Sequence, residues 1–584
     1  MYVLVQKGTC ARLEPMSAQT KILHAIETIM RAEGYSGSIV LESPSDAQHG
    51  DFSTNVAFVS APALKKAPRD IAQQLVEKLK ESHSDIIEKV EVASAGFVNI
   101  WMKESALVES LSEFSKDQIP VSAHPELAGK KILIEYAHPN THKEMHIGHM
   151  RTLIVGEALS RIMTAAGAKV FRANYQGDIG PHVAKALWGI KKIMAEQSVT
   201  LEKISHKGAA ERAHFLGEGY VRGNQEYGAN EKEIDALNAA LYARNSQDQK
   251  LYETTREWSL AYYDELYQHF YTHFDRLFFE SEMVECGAEI VKKNIGKIFI
   301  EDEGAVIFPG EKYGLHRRVF ITKAGNPTYE GKEMCTAQKE YEAFPFERKI
   351  HVVANEQVGY FTVVFKALEL IDPKKFKGTQ EHVSMGMVNL TDRKMSSRTG
   401  DILTVDWLID QVKARVRDLA KEREFENAQT VEEVTIGAIK YSVLKVGTGT
   451  DVAFDIKTSV STDGASGPYL QYTFARTQSV LKKARSAGTH TEDQRTTKLE
   501  GEERALLIHL ARFESIVHEA ALVRSPNIMC TYLFELAQKF NLFYQKHPIL
   551  KGEKVGFRLR LTRAVGTTLK TGLDLLGIRA PERM

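Results

Sequence analysis

The segment from His138 to Arg151, HPNTHKEMHIGHMR, carries the residues best suited to chemistry. His146 and His149 are three positions apart and share one face of a helix, while Gly148 lets a ligand approach the backbone. A helix N-terminus adds free N–H groups and a positive dipole end, and Lys143 adds a cation. These groups predict a site that stabilises a phosphate gaining charge in a transition state. The spacing also suits a capped helix with solvated histidines or half of a metal site, although no HExxH pattern supports a metal.

A second segment, NLTDRKMSSRTG, runs from Asn389 to Gly400. Lys394 and Arg398 can neutralise a departing pyrophosphate, and Ser396 and Ser397 can donate hydrogen bonds to it. Taken alone, the segment is typical of a solvated loop. The chain contains no GxxxxGK[ST] motif, so a phosphate-binding P-loop is not expected.

The elements around these segments predict a parallel sheet. Lys131 to Ala137 is a short apolar run, as expected for a buried strand, and Lys169 to Tyr175 is a second strand after a helix from His146 to Ala166. Strand, helix and strand in this order begin a doubly wound sheet, which binds ligands at the carboxyl ends of its strands. Further strands are predicted at Phe299–Phe308, Arg318–Thr322, Lys349–Ala354 and His382–Met387.

The predicted fold class is a multidomain α/β protein with a doubly wound, Rossmann-like parallel-sheet core. A small N-terminal α+β domain is expected over 17–116. The core is expected over 129–463, with a helical insertion at about 182–275. Residues 464–584 have apolar stripes at helical period and predict an all-helical domain.

Composition agrees with several globular domains. The chain has 584 residues, of which 43% are hydrophobic and 26% charged, and no apolar run of about 18 residues predicts a membrane span. The N-terminus does not resemble a signal peptide. The four cysteines lack CxxC spacing, so neither a zinc site nor a disulfide framework is expected. This pattern favours a protein of the reducing cytoplasm. Net charge is zero, but basic residues outnumber acidic ones from Pro468 onwards, which favours an anionic partner there.

The two chemical segments together resemble the paired signatures of class I aminoacyl-tRNA synthetases, HIGH and a KMSKS-like loop. Five segments narrow the resemblance to the arginyl-tRNA synthetase family. They are PNTHKEMHIGHMRT, NYQGDIG at 174–180, LESPSDAQHGDFSTNVA at 41–57, GPYLQYTFAR at 467–476 and the terminal LGIRAPERM.

The resemblance implies ATP-dependent attachment of L-arginine to its tRNA through an arginyl-adenylate. It implies ATP with Mg²⁺ as cofactor, no protein-bound zinc or other metal, tRNA(Arg) as partner, and a cytoplasmic monomer. The implied catalytic residues are His146, His149, Lys394 and Lys143. The implied ATP-binding residues are His146, Gly148, His149, Lys394, Ser396 and Ser397.

Family positions also imply an arginine site and a tRNA contact. The arginine-binding residues are Glu135, His138, Pro139, Asn140, His149, Tyr329, Glu333 and Gln357, and the tRNA-binding residues are Tyr472 and Arg476. A buried carboxylate matched to a planar guanidinium suits this selection, although Glu135 also suits a structural ion pair.

Two positions depart from the family pattern. Ser397 stands where the usual loop has lysine, so Lys143 is expected to supply that charge, and Glu333 replaces an aspartate. A class I synthetase for cysteine or glutamine, and an RNA-binding relative without catalysis, are the alternative interpretations. The cysteinyl enzyme usually needs a zinc site, for which the sequence offers no ligand cluster.

Overall fold

The computed structural model describes residues 18–37, 39–42, 44, 46–115, 118–391, 403–423, 427–488 and 498–584. Three predicted ATP-binding residues, Lys394, Ser396 and Ser397, lie outside these described residues.

The first described module is a small α+β unit. Its antiparallel sheet has the strand order β1-β3-β2. Apolar residues at helical spacing, Ile71, Leu75 and Leu79, are buried on the helix that packs against this sheet. The elements are α1 (Ala18–Ala32), β1 (Phe52–Thr54), α2 (Val56–Leu64), α3 (Pro68–Ser82), β2 (Ile87–Ala93), β3 (Phe97–Met102) and α4 (Glu104–Glu109).

A parallel sheet forms the centre of the molecule. Its strands are β4 (Lys131–Glu135), β5 (Lys169–Gln176), β6 (Arg276–Phe279), β10 (Arg348–Ala354) and β11 (Gln380–Met385), in the order β11-β10-β4-β5-β6. Every neighbouring pair is parallel. The first of these strands in sequence, β4, is central in space, so the chain winds outwards from it on both sides. This confirms the predicted doubly wound core and puts its switch point between β4 and β10.

Helices cover both faces of this sheet. Successive residues of β4 point to opposite faces: Ile132 and Ile134 belong to one hydrophobic core and Leu133 to another. The first core includes α5 and the second is built with α11, α12 and α13. The ranges are α5 (Ile147–Ala165), α11 (Glu280–Lys293), α12 (Tyr329–Ala343), α13 (Val358–Ile371) and the short α14 (Pro373–Phe376).

Between β5 and β6 the chain forms the predicted helical insertion. Its helices are α6 (Pro181–Gln197), α7 (Leu201–Ser205), α8 (Ala209–Gln225), α9 (Tyr227–Tyr242) and α10 (Gln249–His269). The closest packing is between α6 and α8, where a Cβ on Gly189 would lie 1.9 Å from the Gly219 carbonyl oxygen. Two small apolar cores, one with Trp188 and one with Trp258, hold the insertion together.

Two smaller sheets complete the region around the core. The antiparallel one consists of β7 (Ile300–Asp302), β8 (Ala305–Phe308) and β9 (Arg318–Ile321), and the parallel one of β12 (Val388–Leu390) and β13 (Val452–Phe454). The run from Phe299 to Phe308, predicted as strand, is therefore a hairpin that turns at Glu303 and Gly304, both with positive φ.

The end of the chain is helical, as predicted. Helices α15 (Val405–Arg423), α16 (Ala428–Leu444) and α17 (Ile456–Ser459) lead into α18 (Gly467–Ser486), α19 (Gly501–Ala511), α20 (Phe513–Leu522), α21 (Asn527–Lys546) and α22 (Val555–Leu575). Among the helices in the described part of the chain, none combines the length and apolarity needed to cross a bilayer.

The first module docks on this helical module. Asp51, whose side chain is almost fully buried, accepts a hydrogen bond from Arg504 of α19 at 2.6 Å. Glu514 of α20 accepts bonds from the Thr20 hydroxyl at 2.5 Å and the Ser122 amide at 2.8 Å. The two modules, distant in sequence, share a polar interface.

One expectation about the cysteines is wrong. Cys286 on α11 and Cys335 on α12 form a disulfide, with Cα atoms 5.7 Å apart, while Cys530 is free and buried. The pair is 49 residues apart in sequence and becomes adjacent only because α11 packs along α12. Cysteine spacing cannot reveal such a tertiary neighbour.

Candidate functional site

The carboxyl ends of β4 and β10 open into a cavity of 860 Å³. This is the switch point of the sheet, where open α/β sheets bind ligands, and its volume suits a small organic ligand. The cavity brings together many of the predicted site residues: Glu135, His138, Asn140, His146, Gly148, His149, Tyr329, Glu333 and Gln357.

A left-handed turn leads the chain from β4 to the cavity. Ala137 and His138 have φ values of 78° and 53°, so the strand ends earlier than the apolar run predicts. The Pro139 carbonyl accepts a bond from the Gly177 amide at 3.2 Å. A Cβ on Gly177 would lie 2.2 Å from Asn140 Oδ1, so only glycine fits there without a shift. The loops after β4 and β5 therefore hold each other at the cavity edge.

The two signature histidines stack at the start of α5. His146 is the N-cap residue, and its Nδ1 accepts a hydrogen bond from the Gly148 amide at 3.1 Å. Its ring centroid lies 3.7 Å from that of His149. A neutral imidazole that accepts at Nδ1 carries its proton on Nε2, so His146 can donate a bond from that atom.

Both histidines are neutral at pH 7 in the unliganded protein. Burial, with the nearby Lys143 cation, lowers the pKa of His146 to about 4. Burial and the neighbouring His146 lower the pKa of His149 well below its ordinary value. The Lys143 ammonium lies 3.9 Å from the ring centroid of Tyr220 on α8 and does not line the cavity. The cavity thus offers imidazole N–H donors where a cation was expected.

Two carboxylates form an acidic wall of the cavity. Glu135 ends β4 and Glu333 lies on α12, and both are buried. Burial, partly offset by the Lys349 ammonium, raises the pKa of Glu333 to about 7. For Glu135, burial opposes ionisation, but Lys349 and His351 outweigh it and hold its pKa below the ordinary value. One carboxylate is therefore ionised and the other titrates near neutral pH.

Other predicted residues surround this wall. His138 Nδ1 lies 3.3 Å from a carboxylate oxygen of Glu135. Tyr329 begins α12 and is 56% exposed, so its ring is available to a ligand. Gln357 lies after β10, also on the cavity wall.

Sequence reasoning missed the group behind the acidic wall. Lys349 of β10 is fully buried and contacts both wall carboxylates, Glu135 at 2.5 Å and Glu333 at 3.5 Å. It also pairs with Glu340 of α12, another fully buried carboxylate. One signal was available in the sequence. Lys349 begins the strand-like run KIHVVA, and a buried parallel strand is normally apolar throughout.

The segment with the second signature begins and ends at the cavity. Asn389 of β12, the first residue of the segment, and Leu403, shortly after its end, both line the cavity. Leu403 accepts a bond from the Ile147 amide at 3.2 Å, and the Met145 carbonyl accepts one from the Val405 amide at 2.9 Å. Both flanks of the segment that carries Lys394 are thus fixed beside the first signature.

The predicted tRNA-binding residues lie together on the helical module. The Arg476 guanidinium lies 4.9 Å from the ring centroid of Tyr472 and 5.1 Å from that of Tyr544, and it donates to Asn541 at 2.5 Å. Tyr472 and Arg476 line a cavity of 350 Å³. Among other aromatic residues of this module, Phe474 and Phe543 are buried in the core and Tyr544 is exposed.

A separate basic cavity lies between α18, α22 and the end of the chain. Its volume is 510 Å³. The cationic residues that line it are Lys482, Arg485, Arg563, Lys570 and Arg583, against one carboxylate, Glu582. Such a surface suits a polyanion.

Family models match nearly the whole chain. Residues 115–456 match the model described as tRNA synthetases class I (R), catalytic domain. Residues 470–584 match the DALR anticodon binding domain, and residues 16–102 match the arginyl tRNA synthetase N terminal domain.

Similar proteins agree with these matches. An arginine–tRNA ligase of Bdellovibrio bacteriovorus is 32% identical, over 93% of this chain and 94% of the relative. One of Phocaeicola vulgatus is 30% identical, over 97% and 99%. The solved structure of Thermus thermophilus arginyl-tRNA synthetase superposes with a TM-score of 0.81 at 25% identity, covering 97% of this chain and all of that one.

Proposed function

The chain belongs to the class I arginyl-tRNA synthetases, and from this premise we propose that its strand-end cavity binds arginine and ATP side by side. The enzyme attaches L-arginine to tRNA at the expense of ATP, through an arginyl-adenylate. The observation that carries the proposal is that the acidic wall, Glu135 and Glu333, and the stacked pair, His146 and His149, line one and the same cavity.

Arginine occupies the acidic side in this proposal. Its guanidinium pairs with Glu333 and Glu135, because a buried carboxylate and a guanidinium each lose heavily when left unpaired. Glutamate is one methylene longer than the usual aspartate at position 333, and the Lys349 ammonium behind it restrains that longer arm. Asn140, Tyr329 and Gln357 surround the rest of the amino acid, with His138 and the Pro139 backbone shaping the loop.

ATP occupies the side of α5. His146 Nε2 and His149 donate to the α-phosphate region, where the helix dipole also favours an anion, and Gly148 has no side chain to block its approach. Lys394, Ser396 and Ser397 hold the departing phosphates, since the flanks of their segment are fixed at this cavity. Lys143 does not line the cavity and contributes its positive charge from behind the histidines. Mg²⁺ accompanies ATP.

The protein's contribution to the chemistry is position and charge. The arginine carboxylate is already ionised, so it attacks the α-phosphorus without a general base, and pyrophosphate leaves. The imidazole N–H groups stabilise the negative charge that grows on the phosphorus oxygens. The terminal ribose hydroxyl of the tRNA then attacks the acyl carbon and releases AMP.

The helical module, proposed as 464–584, binds the tRNA. Tyr472 and Arg476 suit a stacked, unpaired base, because an aromatic face and a guanidinium plane both stack on bases. The basic cavity that includes Arg563 and Lys570 suits backbone phosphates.

The remaining proposals concern the other modules and the assembly. The N-terminal domain, 17–116, adds a further tRNA contact beside the catalytic domain, 129–463. The working unit proposed from the family resemblance is a monomer in the cytoplasm.

Replacing Glu333 by glutamine tests the arginine site. We expect E333Q to raise the KM for arginine about a hundredfold, because the guanidinium loses its charged partner, while the KM for ATP stays within about twofold. Aminoacylation assays with varied arginine or ATP measure both. The matched control is E330Q, since Glu330 lines the same cavity but already pairs with Arg318 at 2.9 Å. A change confined to the KM for ATP, or equal effects in both variants, would contradict the assignment.

A further inference from the structure

The group behind the acidic wall has a role of its own in selecting arginine. Lys349 lies on β10, directly beside the strand that carries Glu135, and its side chain is fully buried. It does not line the cavity, whereas Glu135 and Glu333 do. Its ammonium therefore reaches the wall from the side away from the substrate.

The contacts of this ammonium arrange the wall. Its Nζ lies 2.5 Å from Glu135 Oε2 and 3.5 Å from Glu333 Oε1, and it also pairs with Glu340 Oε2. One oxygen of each wall carboxylate is thus engaged from behind. The other oxygen of Glu333 is left to face a ligand, whereas the other oxygen of Glu135 also lies 3.3 Å from His138 Nδ1. A guanidinium needs carboxylate oxygens in fixed directions, because its N–H groups form a rigid planar fork.

The cluster of Lys349 with Glu135, Glu333 and Glu340 has more acidic than basic groups, so a cationic ligand would balance its charge. Three buried carboxylates face one buried ammonium, and burying unbalanced charge is costly. Glu340 faces away from the cavity and has one oxygen without a hydrogen-bond partner among the described residues. Burial raises the pKa of Glu340 well above its ordinary value, which favours its protonated form. The two wall carboxylates, when ionised, exceed the single Lys349 ammonium by one negative charge, which one added cation neutralises.

We propose that Lys349 is a positioning residue for arginine selection, whose ammonium orients Glu135 and Glu333 and leaves the wall short of one cation, the substrate guanidinium. The inference rests on the proposed arginine site. It adds a residue that contacts neither arginine nor ATP.

The titratable groups that surround the wall come from every packed element. They are Glu135 of β4, His138 of the following loop, Tyr175 of β5, Glu280 of α11, Glu333 and Glu340 of α12, Lys349 and His351 of β10, and Tyr360 of α13. Burial lowers the pKa of His138 and of His351, so both are neutral at pH 7. Glu280 pairs with Lys332. Lys349 is thus the cation that the two wall carboxylates share.

The test compares K349M with E340Q in the full-length enzyme. We expect K349M to raise the KM for arginine about tenfold or more, with the KM for ATP within about twofold. The acid limb of kcat/KM for arginine should move about one pH unit upwards, because the wall carboxylates hold their protons longer without the ammonium. E340Q keeps the ammonium beside the wall, so its KM for arginine should stay within about threefold and its acid limb should not move upwards.

A double variant keeps the test decisive if K349M fails to fold. K349M/E340L replaces the back pair by apolar side chains and leaves fewer unpaired buried polar groups, yet it still lacks the orienting ammonium. We expect the same raised KM and shifted limb. Wild-type values in either folded variant would overturn the role of Lys349. Failure of E333Q to affect arginine would instead overturn the arginine site itself.

Discussion

At the scale of single residues, the cavity separates two kinds of electrostatics. The proposed phosphate side offers neutral imidazoles, since burial keeps the pKa of His146 at about 4. The proposed amino-acid side offers carboxylates, one ionised and one titrating near pH 7. A neutral donor suits a phosphate whose charge grows during reaction, whereas a fixed negative charge suits a guanidinium that is always protonated.

The pH dependence of arginine use follows from Glu333. Its raised pKa, about 7, means that it carries a proton at lower pH, and this proton must leave before the guanidinium can pair. We expect kcat/KM for arginine to fall about tenfold per pH unit below about 7 and to level off above about 8. Aminoacylation rates at saturating ATP and tRNA, from about pH 6 to about 9, measure this limb.

Variants show which residue causes the fall of kcat/KM at low pH. This fall should persist in E330Q and disappear in E333Q. His146 should contribute little, because its pKa of about 4 lies below the range. An unchanged limb in E333Q would assign the titration to another group.

The sequence predicted the residues of the site that lie close together along the chain, but not the buried contacts between distant elements. The histidines and Glu135 were predictable because they lie at a strand end next to a helix start. Glu333 was reached only through the family resemblance, since α12 is about 200 residues further on. Lys349 was missed because its partners come from two other elements, and no local pattern records such a contact.

At the scale of elements, close helix packing holds the helical insertion together. Helices α6 and α8 approach each other at Gly189 and Gly219. Boundaries were the least predictable feature here. The helical prediction for 464–584 did not show, for example, that α19 and α20 are two helices separated at Arg512.

Substituting Gly189 tests this packing. We expect G189A to lower the free energy of unfolding by about 1–3 kcal/mol, because its Cβ would overlap the Gly219 carbonyl. The urea midpoint, followed by fluorescence of the buried Trp188 and Trp258, measures it. G228A is the control, since nothing lies within 4 Å of its Cβ, and it should be neutral or slightly stabilising. Equal midpoints for the two variants would show that α6 and α8 adapt freely.

At the scale of the whole molecule, the N-terminal unit, the central sheet and the helical module pack against one another. A single hydrophobic core runs through all three, from Ile22 through Ile134 to Leu573. The polar pair Asp51–Arg504 closes the interface between the first and last modules. The module order was predictable from composition and motifs, but this docking was not, since it depends on side chains far apart in sequence.

Breaking that pair should affect tRNA more than arginine. We expect R504M to raise the KM for tRNA about three- to tenfold, because Asp51 is left buried without its cation and the N-terminal unit loosens. The KM for arginine should not change. Limited proteolysis should cut faster between Lys103 and Lys130. K89M is the control, because Lys89 forms an exposed pair with Glu91 inside the same unit. Wild-type behaviour of R504M would mean that the apolar contacts alone hold the unit.

The Asp51–Arg504 contact also sets an order of events during synthesis. The two residues are 453 positions apart. At roughly 5–20 residues per second, a ribosome delivers Arg504 about 20–90 seconds after Asp51. Until Arg504 emerges, the N-terminal unit therefore depends on its own buried apolar residues, such as Ile26, Phe52 and Leu75. A nascent chain stalled before α19 would carry a first module whose docking partner does not yet exist.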